Sequence, residues 1–409
     1  MRPAVVALAA LALAPAAGAW TTIGSGVGVT TIPSVIVTQA GTVLASFDTP
    51  NGTIQVARNG APPRTIVTGD PVPGRTQVVQ QPNGLLQLYF PNAQGVGRMT
   101  STDDGQTWTG PIQTQSHTTG PVEGAAVAPD GTPYFAQDGT GFVNVFRGLD
   151  GEQVKNVYTR CCGYHESLAV DANGVVQIAF YSNADPDAAT VYEKLAADLT
   201  PGTPVVLKPV AEHEAPLVAD REGNTFLAWA PGYPAATSLS VVPFSGGSPS
   251  GDGVTFRGAF SGPEPHMALA VDGSDRLWVV WTQGGKVHAA RSRTHGLSFG
   301  AAVSAAEPGT VYELSAAGVA AGVGTADVVV DTGTALVAQR FEPGLSVRVT
   351  KKGKAHYAQA LDDGFGVAGA TFRVGGRTIK ANASGKAKVP SGRGTASASG
   401  YVSASFRVP

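Results

Sequence analysis

Apolar residues along this chain come in short runs, each closed by a polar turn and answered by a second apolar run. The turns centre on Gly41, Gly84, Gly131, Gly174, Gly223, Asp275 and Gly322, spaced by 43, 47, 43, 49, 52 and 47 residues. Six places after the turn stand Phe47, Phe90, Phe180, Trp229 and Trp281, with Gln137 and Val328 in the third and seventh copies. One copy reads Ser167–Asp171, then Ala172-Asn173-Gly174, then Val175–Phe180. Short β-branched runs bounded by Asn-Gly and Asp-Gly signals are strands joined in hairpins. A period of about 47 residues suits four strands and their loops, the size of one β-propeller blade. The pattern predicts an all-β chain: a propeller of seven (alternatively six) four-stranded blades, with the aromatics packed between successive sheets. No stretch carries a sustained helical period, and Ala188–Leu199 reads as at most a short surface helix.

The ends differ from this repeat. Residues 1–19 show Arg2, an apolar run from Ala4 to Leu13 and a small-residue site at Ala17-Gly18-Ala19, the three parts of a secretory signal. Cleavage near Ala19 predicts a secreted protein, extracellular or at the cell surface. The apolar run is too short to span a bilayer, so no membrane insertion is expected. Without the signal, 27 basic residues face 30 acidic ones, which gives no general field for nucleic acid. The 53 glycines and 29 prolines suit a turn-rich fold. Cys161 and Cys162 are adjacent and are the two cysteines of the chain. Export favours a vicinal disulfide between them, whereas the ~3.8 Å Cα spacing of neighbours lies below the usual disulfide range; both states stay open.

One outer strand carries Ser101-Thr102-Asp103-Asp104-Gly105-Gln106-Thr107-Trp108, which matches the Asp-box S/T-x-D-x-G-x-x-W/F. A degenerate copy is Ser292-Arg293-Thr294-His295-Gly296-Leu297-Ser298-Phe299. On these residues the region 20–342 resembles the sialidase-like BNR/Asp-box β-propellers. In that family the box lies outside a blade, which implies a structural role for Ser101, Asp103, Gly105 and Trp108. Sialidases also carry R-I-P near the propeller start. Here Thr31-Ile32-Pro33 keeps the frame with Thr31 at the arginine, and no motif assigns Arg75, Arg98, Arg160, Arg257 or Arg291 to the clamp that grips a substrate carboxylate. From residue 343 the period ends. Val367–Gly376, Asn382–Ala387 and Gly400-Tyr401-Val402 resemble the carboxypeptidase-regulatory or bacterial Ig-like module, which implies a small β-sandwich over 343–409.

A propeller gathers one loop per blade round an axial funnel, and nine places before each turn is where an innermost strand would begin. Those positions hold Ile32, Arg75, Val122, His165, Glu214, His266 and Glu313, with Glu123, Tyr164, Glu166, His213, Glu264 and Tyr312 beside them. Charged residues are only 14% of the chain, so their concentration in five consecutive copies marks the mouth; burying so many without partners would be costly. Arg75, Glu123, His165, Glu166, His213, Glu214, Glu264, His266, Tyr312 and Glu313 therefore form the expected ligand-binding funnel. His165, Glu166, Tyr164, Glu214 and Arg75 are the catalytic candidates. Two carboxylates could divide acid and base roles on a sugar, or a His, Tyr and Arg could abstract a proton beside a uronate carboxyl. Glu and His could also hold a divalent cation, although no metal set is assigned and no cofactor is expected. A hydrated rim of paired charges is the inert alternative. The expectation is a monomeric, secreted propeller recognising an extracellular glycan or cell-surface component. The alternative is a carbohydrate-active enzyme, either a sialidase-type exo-glycosidase or a uronate polysaccharide lyase.

Overall fold

The computed structural model describes residues 19–409 apart from 29–31, 70–73, 140–141, 159–162, 183–188, 208–214, 232–235, 237, 258–265, 295–297 and 320–322. Every element among them is a β-strand. The hairpins form where the sequence places its turns: Gly41, Gly84, Gly131, Gly174 and Gly223 have φ between 78° and 90°, and Asp275 has φ 60°. Glycine enters this left-handed region without steric cost. Aspartates help close the turns, as where Asp171 Oδ1 accepts from the amides of Asn173 and Val175 at 2.9 Å.

Seven antiparallel sheets follow in order, with innermost strands Ser34–Val37, Gln77–Gln80, Val122–Val127, Gly163–Val170, Leu217–Ala219, Met267–Val271 and Glu313–Val319. Each innermost strand packs on the next, and the seventh packs back on the first, so the ring is closed. Closure is made by the N-terminal strand Thr21–Ser25, which pairs with Ala335–Phe341 as the outer strand of the seventh sheet.

Side chains alternate across each sheet, so every adjacent pair of sheets shares a core. Phe47 joins Val329 and Leu336 between the first and seventh blades, and Phe90 joins Leu44 and Ile54 of the blade before its own. Phe180 and Trp281 do the same two and four blades further round, and Trp229 packs against the core shared by the fourth and fifth blades. The recurrent aromatic is thus the wedge between blades.

Three sequence expectations need correction. Residues Ala189–Lys194 are the third strand of the fourth blade; pairing to Val176–Ser182 overrides the helical leaning of the run 188–199. In the seventh copy Val319 lies opposite Thr325, as Val37 lies opposite Val43, so residue 323 stands where the first copy has Gly41, one place past Gly322. The aromatic-equivalent residue is then Val329, and Glu313 lies one place further out than expected. Val122, nine before its turn, points into the core between the second and third blades, away from the mouth.

The turn at Ser101–Trp108 joins the third and outermost strands of the second blade. Asp103 accepts from the Thr107 amide (2.8 Å) and hydroxyl (2.6 Å) and from Ser101 Oγ (2.8 Å). Its carboxyl is held down to about 2, chiefly by the Thr107 hydroxyl. Next to it, Asp104 accepts from Arg58 of the first blade at 3.0 Å. Every contact here is local or between blades.

The last eight strands form two further four-stranded sheets that enclose Ala358, Ala360, Phe372, Val374, Val389 and Ala396. Asp362 ties them to the sixth blade, accepting from both terminal nitrogens of Arg276 (2.8 and 3.1 Å), from Arg291 and from the Tyr401 hydroxyl (3.0 Å). Val402 extends the core of the sixth and seventh blades.

Candidate functional site

The innermost strands of the third and fourth blades both lose register near their starts: between Val122 and Gly124 in one, between Tyr164 and Ser167 in the other. Such irregularities re-aim the residues inside them. The displaced residues are Glu123 in the first strand and His165 and Glu166 in the second. Glu123 and Glu166 both lie eight before their turn glycines, so they are equivalent positions of neighbouring blades. His165 has φ 58°, a left-handed backbone uncommon for a residue with a side chain and found most often where surrounding structure enforces it.

Arg75, just ahead of the second blade's first strand, reaches across to both neighbours. Its Nη1 lies 3.4 Å from Glu123 Oε2, and its Nη2 donates to His165 Nδ1. Glu123 Oε2 also accepts from the Glu166 amide at 3.1 Å, and its carbonyl accepts from Gln77 Nε2 at 3.0 Å. Guanidinium only donates, so Nδ1 of His165 is the accepting nitrogen and a neutral ring carries its proton on Nε2. Arg75, Glu123, His165 and Glu166 are thereby brought together.

A fifth member was not anticipated. Asp138, on the second strand of the third blade, brings a carboxylate oxygen within 4.8 Å of those of Glu123 and Glu166. The sequence did hold its signal: Asp138 follows Gln137, where the aromatic wedge is missing. Gln137 is wholly buried and accepts from Ser116 Oγ (2.6 Å) and Thr118 Oγ1 (2.8 Å). It donates to the carbonyls of Thr118 (2.7 Å) and Gly120 (2.9 Å). The amide thus ties down the segment that delivers Glu123.

Glu166 is 1% exposed, and neither of its carboxylate oxygens has a hydrogen-bond partner. Burial pushes this carboxyl far above the ordinary range, and the charges of Glu123 and Asp138 push the same way. Burial also raises Asp138 to about 7, helped by Glu123 and opposed by Arg75. With all carboxylates ionised the group of three acids and one guanidinium carries −2.

The other expected mouth residues divide. His266 precedes the sixth blade's first strand, and Tyr312 and Glu313 begin the seventh; among the described residues, none is hydrogen-bonded or ion-paired to Glu123, Asp138 or Glu166. Tyr164 is 39% exposed, its ring 6.4 Å from that of His165 and stacked at 6.4 Å on Tyr181. His213, Glu214, Glu264, Thr31, Arg160, the Cys161–Cys162 pair and the signal residues 1–18 lie outside the described residues. Arg98 pairs with Asp150 and Arg291 with Asp362, so both serve the scaffold. Cavities of about 680 and 450 Å³ lie elsewhere, one beside Phe365 and Tyr401, the other beside Arg58 and Trp108.

No family profile matches the chain, and no curated protein is similar to it in sequence. Solved structures do match. Virginiamycin B lyase from Staphylococcus aureus aligns at a TM-score of 0.52 and 10% identity, covering 79% of this chain and 99% of that one. A streptogramin B lyase aligns at 0.50 and 11% identity, covering 78% and 96%. The Hadza microbial sialidase Hz136 aligns at 0.48 and 13% identity, covering 79% and 68%. Likeness at this level of identity bears on fold alone, and the chain has the β-propeller fold.

Proposed function

We propose that this is a secreted propeller that binds an extracellular glycan or cell-surface saccharide at the funnel mouth between the second and fourth blades. The observation that carries the reading is the exposed Tyr164 ring, backed by Tyr181, beside the fixed Arg75–His165 pair. Saccharide sites need an apolar face for the ring's C–H surface and a few oriented polar groups for its hydroxyls. On this reading residues 343–409 are a carboxypeptidase-regulatory or Ig-like appendage that positions the propeller, and the protein acts as a monomer.

The geometry favours binding over the catalytic alternatives. Nδ1 of His165 is engaged by Arg75 and Nε2 bears the proton of the neutral ring, so neither nitrogen is poised to take a proton from a uronate. Glu166 is too enclosed to flank a sugar, and a carboxyl pair for glycoside hydrolysis must be open to the glycosidic bond. A glycan array and polysaccharide pull-downs test the proposal. Saccharides should be retained, and Tyr164→Ala should weaken them at least about tenfold while leaving the circular dichroism spectrum unchanged. No retained saccharide, or release of reducing ends or of an unsaturated ultraviolet-absorbing product, would count against a pure binder.

A further inference from the structure

We propose that Glu123, Asp138 and Glu166 bind one hard divalent cation, of the calcium or manganese class, at the funnel mouth between the third and fourth blades. Three lines of geometry support the site. One carboxylate oxygen from each residue lies within 4.8 Å of the other two; donors about 2.4 Å from a shared ion stand no more than about 4.8 Å apart. Glu166, 1% exposed, brings one carboxylate oxygen into this group, and neither of its oxygens has a hydrogen-bond partner; a buried carboxylate needs hydrogen bonds, a counter-charge or a metal. Finally, three carboxylates with Arg75 leave a charge of −2, which one divalent ion cancels.

The donor chemistry sets the ion class. All three ligands are carboxylates, and the nearby imidazole has its Nδ1 held by Arg75 and is not part of the cluster; an all-oxygen set selects hard ions over zinc or copper. The spread of the donors suits the longer calcium bond better than the ~2.1 Å bond of magnesium. Asp138 is only half-buried, so water or a ligand oxygen can complete the shell from its side, while the Glu123 side chain is 8% exposed. The scaffold fixes the ligands independently: Glu123 by Gln77 and the Glu166 amide, Asp138 by its place in the second strand beside Gln137.

The test uses the metal alone, so it is separable from the saccharide reading. The full secreted chain is stripped with a chelator, dialysed, and titrated with CaCl2 by calorimetry and with MnCl2 by electron paramagnetic resonance. One equivalent should bind with a dissociation constant below about 1 mM, and saturating calcium should raise the melting midpoint by a few degrees. Glu166→Gln should weaken binding at least about tenfold, and Asp138→Asn, on the more open side, should do the same if the first variant folds poorly. No saturable binding below about 1 mM, or unchanged binding in a folded variant, would overturn the assignment.

Discussion

At the residue scale, a single departure from the repeat marks the site. Six copies of the hairpin put an apolar or aromatic side chain at the wedge position, and the third puts Gln137, whose four hydrogen bonds replace apolar packing with a tether on residues 116–120. A second departure gives a pH signature away from the mouth. Glu193, in the third strand of the fourth blade, is 3% exposed, its Oε2 has no partner, and burial raises its carboxyl to about 7. The raised value means that the folded chain keeps this proton after the unfolded chain has lost it. Its contribution to stability is therefore undiminished below about pH 4.5 and falls as pH rises toward 7. Glu193→Gln should match the parent at pH 4 and exceed it at pH 8 by roughly 1–2 kcal/mol, allowing for partial water screening. Urea unfolding at the two pH values measures this, and an equal difference at both would contradict it.

At the element scale, the hairpins were legible and the irregular strand starts were not. Turn glycines announce themselves because few other residues take a positive φ cheaply, and the wedge aromatics recur at a fixed offset. The breaks in register at Glu123 and at His165–Glu166 depend on how each strand meets its partner, which no local pattern encodes. The same dependence turned Ala189–Lys194, within the ambiguous run 188–199, into a strand, and moved the seventh turn by one residue. Asp138 escaped notice because its contribution is spatial: it reaches Glu166 of the next blade across 28 positions of sequence. The strand Thr21–Ser25 supplies the closing pair of the ring. Removing residues 20–28 should expose the edge of Ala335–Phe341, lower the melting midpoint by roughly 10 °C or more and promote self-association. Calorimetry with light scattering would register this, and an unchanged midpoint would show that closure lies elsewhere.

At the scale of the whole molecule, two assemblies meet through buried charge. Asp362 faces Arg276 and Arg291, the latter 2% exposed, and Arg291 also lies 3.7 Å from Asp272. Deleting one partner of such a network leaves guanidinium groups desolvated without compensation, so Asp362→Ala should cost about 3–5 kcal/mol. It should also make the chain between Phe341 and Ser346 accessible to protease. Neutral behaviour in both assays would mean that the remaining contacts, Asp363 with Arg293 and Ser298 and the apolar packing of Val402, hold the docking. Closing seven sheets into a ring carries Arg75, Glu123 and His165 from three successive blades to one place, and function is assigned to that convergence. Ligand titration of Arg75→Lys against the parent tests this assignment most directly, since a single ammonium cannot reproduce a fork that serves both Glu123 and His165. Affinity should fall at least about tenfold with the fold intact, and Asp103→Ala at the outer edge should show no loss. Equal affinity in the parent and Arg75→Lys would contradict the assignment.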